Sequence, residues 1–138
     1  MKPNELMTGD YIMLYEDIYI IEEISSKGWA HIIYNDGSKC RVPLSTDYIL
    51  GELTPVPLTP EILEKNGFKF YCTDVFEEWR SKDKRITIHD EEYPNSFNKW
   101  AVHVDTEDMR TMGYFEITHV HELQHALRLC GINKEVKI

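Results

Sequence analysis

The chain has 138 residues, a hydrophobic fraction of 42% and a formal net charge of −9. That length holds one compact domain or two very small ones, with enough apolar residues to fill a core. No Lys/Arg-rich run occurs, and acidic residues outnumber basic ones up to Leu58 and again from Thr59 to Arg110. Nucleic acid and anionic membrane surfaces both demand local positive charge, so neither is an expected partner. The acidic excess is too modest to single out a DNA mimic.

Cys40, Cys72 and Cys130 are odd in number and widely spaced, and no C-x-x-C occurs. Reduced thiols in a cytosol are expected rather than a disulfide framework or a Cys-rich zinc site. The start, MKPNELMTGDY, lacks the apolar core of a signal peptide, and no apolar run reaches membrane-spanning length. A cytoplasmic protein is expected.

Taken in order, the first 58 residues read as short strands over Tyr11 to Tyr15, Ile18 to Ile24, Ala30 to Tyr34 and Lys39 to Pro43, with a fifth near Leu53 to Leu58. Asn35-Asp36-Gly37 is the clearest hairpin signal, because Asp-Gly supplies the positive φ angles of a tight turn. Five short strands of this kind predict a small SH3-like β-barrel over residues 1–58. The proline-rich LTPVPLTP, Leu53 to Pro60, then forces an extended path and marks a domain boundary. It leads into a short helix with Thr59 as N-cap, Pro60 at the first position and Gly67 past the end.

Strands return at Lys69 to Thr73, Arg85 to His89 and Lys99 to Val104, and Met112 to Ile117 should pair with the last of these. A final helix is predicted from Thr118, its N-cap, to Gly131, its C′ residue. Residues 59–138 thus read as a small antiparallel sheet with a helix at each end. The fold class is α+β, and the stiff connection implies that the second domain packs against the first.

The last helix contains His121-Glu122-Leu123-Gln124-His125, an H-E-x-x-H. That spacing puts two imidazoles one turn apart, where they can hold one zinc beside a glutamate base. Over about ten residues the segment resembles the zinc helix of zincin metallopeptidases. The resemblance implies His121 and His125 as ligands and Glu122 as the base that takes a proton from zinc-bound water. A third ligand is missing downstream, where Glu135 is the last side-chain carboxylate and sits in a tail expected to fray. His103 or His89 would have to supply it from the sheet. On a helical wheel Val120, Leu123, Ala126, Leu127 and Cys130 form one apolar stripe, which leaves His121, His125 and Arg128 facing outward. Packing on a sheet explains this helix more simply than catalysis, and short motifs of this kind arise by chance.

Other catalytic patterns are weaker. No G-x-S-x-G elbow, P-loop or dinucleotide glycine pattern occurs. Cys130 lies on the apolar stripe, where a thiolate is disfavoured. Glu77-Glu78 and Asp90-Glu91-Glu92 read as solvated loop charges. Trp29, Tyr34 and Tyr48 in the barrel half form a candidate peptide groove, although core packing accounts for the same residues.

Four segments carry a longer resemblance: MKPNEL with Gly9 shortly after it, VPLTPEILEKNGF from Val56 to Phe68, WAVHVD from Trp100 to Asp105, and VHELQ from Val120 to Gln124. Through them the chain resembles a family of small uncharacterised proteins carried by phages and integrated mobile elements of Bacteroidales. In that family's pattern VHELQ is typically followed by asparagine, so His125 departs from it, which counts against a zinc site. The resemblance implies an accessory role and no mechanism. The sequence therefore predicts a non-enzymatic cytoplasmic accessory protein, without a cofactor, that binds another protein. The alternative is a minimal zinc metallopeptidase with Glu122 as base and His121, His125 and His103 as ligands.

Overall fold

Alternating β-branched and aromatic residues separated by tight turns build an antiparallel meander at the start of the chain. The computed structural model describes residues 6–34, 36–44, 53–75, 77–90 and 99–138. Asn35 of the hairpin signal, Tyr48 of the aromatic set, and Glu91 and Glu92 lie outside the described residues. Strands β1 (Tyr11–Leu14), β2 (Asp17–Ser25), β3 (Trp29–Tyr34), β4 (Lys39–Pro43) and β5 (Leu53–Pro55) form one sheet in the order β4-β3-β2-β1-β5. Every pairing is antiparallel. Among the described residues no pairing joins β4 to β5, so the barrel expected from the sequence is not closed. A register shift between Ile21 and Glu23 bulges β2 and sharpens its twist. Ile12, Tyr19, Ile21, Ala30, Ile32 and Leu53 fill the core of this sheet.

The chain divides into two compact units, Met1–Val56 and Pro57–Ile138. The second begins with helix α1 (Pro60–Lys65), for which Thr59 is the N-cap, its hydroxyl accepting from the Ile62 amide at 3.4 Å. Strands β6 (Lys69–Cys72), β7 (Glu77–Arg80), β8 (Ile86–Asp90), β9 (Trp100–Asp105) and β10 (Thr111–Ile117) follow, paired antiparallel in the order β10-β9-β8-β7-β6. Helix α2 (Val120–Leu129) closes the unit. No helix of the described residues is long and apolar enough to cross a membrane.

The two helices of the described residues end in the same way. The amides of Gly67 and Phe68 bond back to Glu64 and Leu63, and those of Gly131 and Ile132 to Arg128 and Leu127. Gly67 and Gly131 take φ angles of 80° and 72°, so each helix stops in a Schellman motif that satisfies otherwise orphaned carbonyls. The tail after Gly131 is not frayed, contrary to the expectation for Glu135. Asn66 pins it, donating from its side-chain nitrogen to the Lys137 carbonyl at 2.6 Å and accepting from the Lys137 amide at 2.8 Å. Val136 is correspondingly buried.

Alternation divides the second sheet into two faces. Ile86, Ile88, Val102 and Val104 share one and are almost fully buried. Gly113 is paired with Val104 on that same face, and a Cβ built on it would lie 3.1 Å from the Cys130 sulfur. The end of α2 therefore sits over the apolar face, with Val120, Leu123, Ala126 and Leu127 buried as the wheel predicts.

Candidate functional site

The H-E-x-x-H segment does form one helix face. The rings of His121 and His125 lie 5.6 Å apart, centre to centre, and His119 stacks on His121 at 5.8 Å. The expectation that both histidines face outward is corrected at His121, which is only 7% exposed. The wheel marks the apolar stripe but cannot show that a neighbouring ring, His119, covers the polar side. His125 is half-buried.

Glu122 serves the backbone. The N-cap of α2 is His119, one residue later than the sequence predicts, which makes Glu122 the third helical residue. From there one carboxylate oxygen accepts from the Thr118 amide at 2.7 Å, the His119 amide at 2.9 Å and the Thr118 hydroxyl at 3.1 Å. It thus reaches back over donors that a helix start would otherwise leave unpaired. Burial pushes the Glu122 carboxyl up, but the Thr118 and His119 amides, the Thr118 hydroxyl and the nearby His119 ring outweigh it. The net effect holds the carboxyl below its ordinary value. A base poised for neutral pH is tuned in the opposite direction.

This cap has a pH signature. A carboxyl depressed in the folded state stabilises the fold above its unfolded value, and that contribution is lost as the pH falls through the folded value. Glu122→Gln should therefore cost about 1 kcal/mol near neutral pH, and the difference from the parent should vanish on acidification. Urea unfolding of both proteins across a pH series checks this.

His103, the sequence-level choice for a third zinc ligand, does not join the helix histidines. It stands on the sheet face opposite Val102 and Val104, with the His89 ring at 5.3 Å and the Tyr114 ring at 4.7 Å. The same face carries Glu78, which is only 5% exposed, forms an ion pair with Arg80 and lies 3.7 Å from the His89 ring nitrogen. Glu77 and Glu78 are therefore strand residues and not loop charges. Among the described residues no three His, Cys, Asp or Glu side chains are grouped to hold a metal ion. The donor set of the zinc reading does not fit: its third ligand lies across the sheet, and its base is engaged as a cap. Burial also pushes the Cys130 thiol up, against its use as a nucleophile.

Trp29 and Tyr34 do not line one groove. Five residues apart on β3, they point to opposite faces. The Arg41 guanidinium lies 4.1 Å over the Trp29 ring, and Tyr34 meets Tyr19 edge-on at 4.6 Å on the core side. The third residue of that set, Tyr48, lies outside the described residues.

A different aromatic site forms in the second unit. A cavity of about 370 Å³ opens beside α1 at one corner of the apolar face, walled by Phe70, Trp79 and Trp100 and bordered by Glu64, Glu77 and Asp90. Register assembles it. Phe70 is paired with Trp79 across β6 and β7, their rings 5.1 Å apart, and Asp90 is paired with Trp100 across β8 and β9. Trp100 is anchored by its indole nitrogen, which donates to the Leu58 carbonyl at 3.2 Å. Both tryptophans are buried, while Phe70 is 48% exposed. No basic side chain lines the cavity among the described residues. The sequence offers three aromatic letters for this site but no signal that they meet, because the strand that joins them, β7, is not legible.

Compared with protein families, curated proteins and solved structures, the chain matches none.

Proposed function

We propose that the chain is a non-enzymatic accessory protein of a phage or mobile element and that it acts by binding another protein. The contact surface in this reading is the recess of Phe70, Trp79 and Trp100. The recess is the observation that supports the binding half of this reading: an aromatic hollow, bordered by carboxylates and open at Phe70, suits recognition of a side chain borne on a partner. The accessory context rests on the four-segment resemblance to proteins of Bacteroidales phages and integrated elements.

The first unit is read as an open SH3-like barrel. In support, its meander returns the fifth strand to the first, and the bulge in β2 supplies the coiling such a sheet needs. A cytoplasmic site of action belongs to the same reading and accords with three unpaired cysteines.

The competing reading, a zinc peptidase, has one observation in its favour, the close approach of His121 and His125. Metal analysis separates the two. Protein purified without a histidine tag should carry well under one zinc per chain, and His121→Ala with His125→Ala should leave that figure unchanged. Stoichiometric zinc that disappears in the double variant would overturn the non-enzymatic reading. For the binding half, the immobilised chain should retain a specific protein from a Bacteroidales lysate that Phe70→Ala does not retain. Equal retention by both would remove the recess from the proposal.

A further inference from the structure

We propose that the recess binds an alkylammonium group, the end of a lysine side chain on the partner, and that N-methylation of that lysine tightens binding. This rests on the binding reading above and adds the chemistry that is recognised.

Glu77 and Asp90 stand just beyond the last registered pair of β7 and β8, Glu78 with His89, and both border the recess. Like charges brought close together repel. Glu64 adds a third carboxylate from α1. Among the described residues none of the three has an ion-pair partner. A cation from outside would relieve this repulsion.

The aromatic walls decide what kind of cation. A bare metal ion needs converging oxygen ligands, whereas here the carboxylates share the recess with three ring systems. Ring faces attract an ammonium through the ring quadrupole and gain dispersion contact with its methyl groups. The hydrogen bond from the Trp100 indole nitrogen to the Leu58 carbonyl fixes that ring as a buried wall, and half-exposed Phe70 offers the accessible ring. The volume, about 370 Å³, lies near the lower end for small-molecule sites, and suits an ammonium head with its methylene stem. Half-exposed Phe70 keeps the mouth open, as a side chain borne on another protein requires.

Guanidinium is the less suitable cation. It favours bidentate pairing with a carboxylate in its own plane, and here three carboxylates on separate elements surround a hollow of rings.

The test titrates the full-length chain with three short capped peptides, identical except at one side chain: lysine, trimethyllysine, or its neutral isostere with a tert-butyl end. Proton NMR follows the methyl signal of the last two, and displacement of trimethyllysine reports the first. The N-methyl resonance should move upfield saturably, as ring currents dictate for a group seated among aromatics. The lysine peptide should compete more weakly, and the neutral isostere should show no saturable shift.

Phe70→Ala, checked for folding by circular dichroism, should weaken trimethyllysine binding at least about fivefold. Glu77→Gln with Asp90→Asn, which keeps shape and removes charge, should weaken it comparably, and added salt should do the same in the parent. Saturation by the neutral isostere at the same concentrations, no saturable shift at all, or an unchanged affinity in Phe70→Ala would each overturn the inference. If the peptides fail while Phe70→Ala still abolishes capture of a partner, the ligand class is wrong and the binding reading stands. If both fail, the reading falls with it.

Discussion

Leu123→Ala will lower the unfolding free energy by about 2–5 kcal/mol, while His125→Ala will change it by about 1 kcal/mol or less. Leu123 is completely buried in the middle of α2, with Val120 and Leu127 equally buried one turn to either side. Truncating it removes the transfer energy of three carbons and leaves a hole that a helix fixed at both ends cannot collapse. Glu122 caps one end, and the bond from the Ile132 amide to the Leu127 carbonyl closes the other. His125 is half-buried, its ring stands edge-on to that of His121, and its truncation opens no cavity comparable to that of a fully buried leucine. Urea unfolding with unchanged slope measures both. A loss below about 1 kcal/mol for Leu123→Ala would mean that the apolar stripe does not hold the second unit together.

Gly113→Ala will cost about 1–3 kcal/mol through overpacking. A Cβ at this position would stand 2.6 Å and 2.9 Å from two carbons of the Phe115 ring and 3.1 Å from the Cys130 sulfur. The ring is half-exposed and can swing away in part, but the sulfur belongs to the residue that caps α2. The penalty is steric, since Gly113 is not among the residues with positive φ. Phe115→Leu in the same chain should therefore recover part of the loss. Full stability in Gly113→Ala alone would show that α2 does not approach β10 so closely.

Much of the second unit was legible because its signals are local. Thr59 with Pro60, and the two glycines after the helices, are determined by the backbone needs of the helix ends next to them. The apolar stripe of α2 followed from periodicity. What escaped was whatever depends on a neighbour in space. β7 is Glu77-Glu78-Trp79-Arg80, four residues of which only Trp79 favours a strand. Its formation rests on pairing with β6 and β8, and the charge of Glu78 is tolerated because Arg80 and His89 meet it. Without β7 there is no Phe70–Trp79 pair and hence no recess to foresee.

The zinc reading shows the opposite case, in which the sequence held more than one of its signals suggested. Alternation already placed His103 on the face away from Val102 and Val104, and the wheel already sent α2 to the apolar face. Taken together, these two inferences separate His103 from the helix histidines. The helix start needed a single step more. Moving the N-cap from Thr118 to His119 makes Glu122 a capping-box residue, and a catalytic candidate becomes a structural one.

That assignment is tested most directly by the ionisation of Glu122 itself, followed through its side-chain carboxyl carbon by ¹³C NMR. As a cap bonded to the Thr118 and His119 amides, Glu122 should titrate below its ordinary value of 4.5, and those two amides should move with it. A value raised toward neutrality, with the amides unmoved, would mark a carboxylate poised as a base and contradict the structural role of the helix.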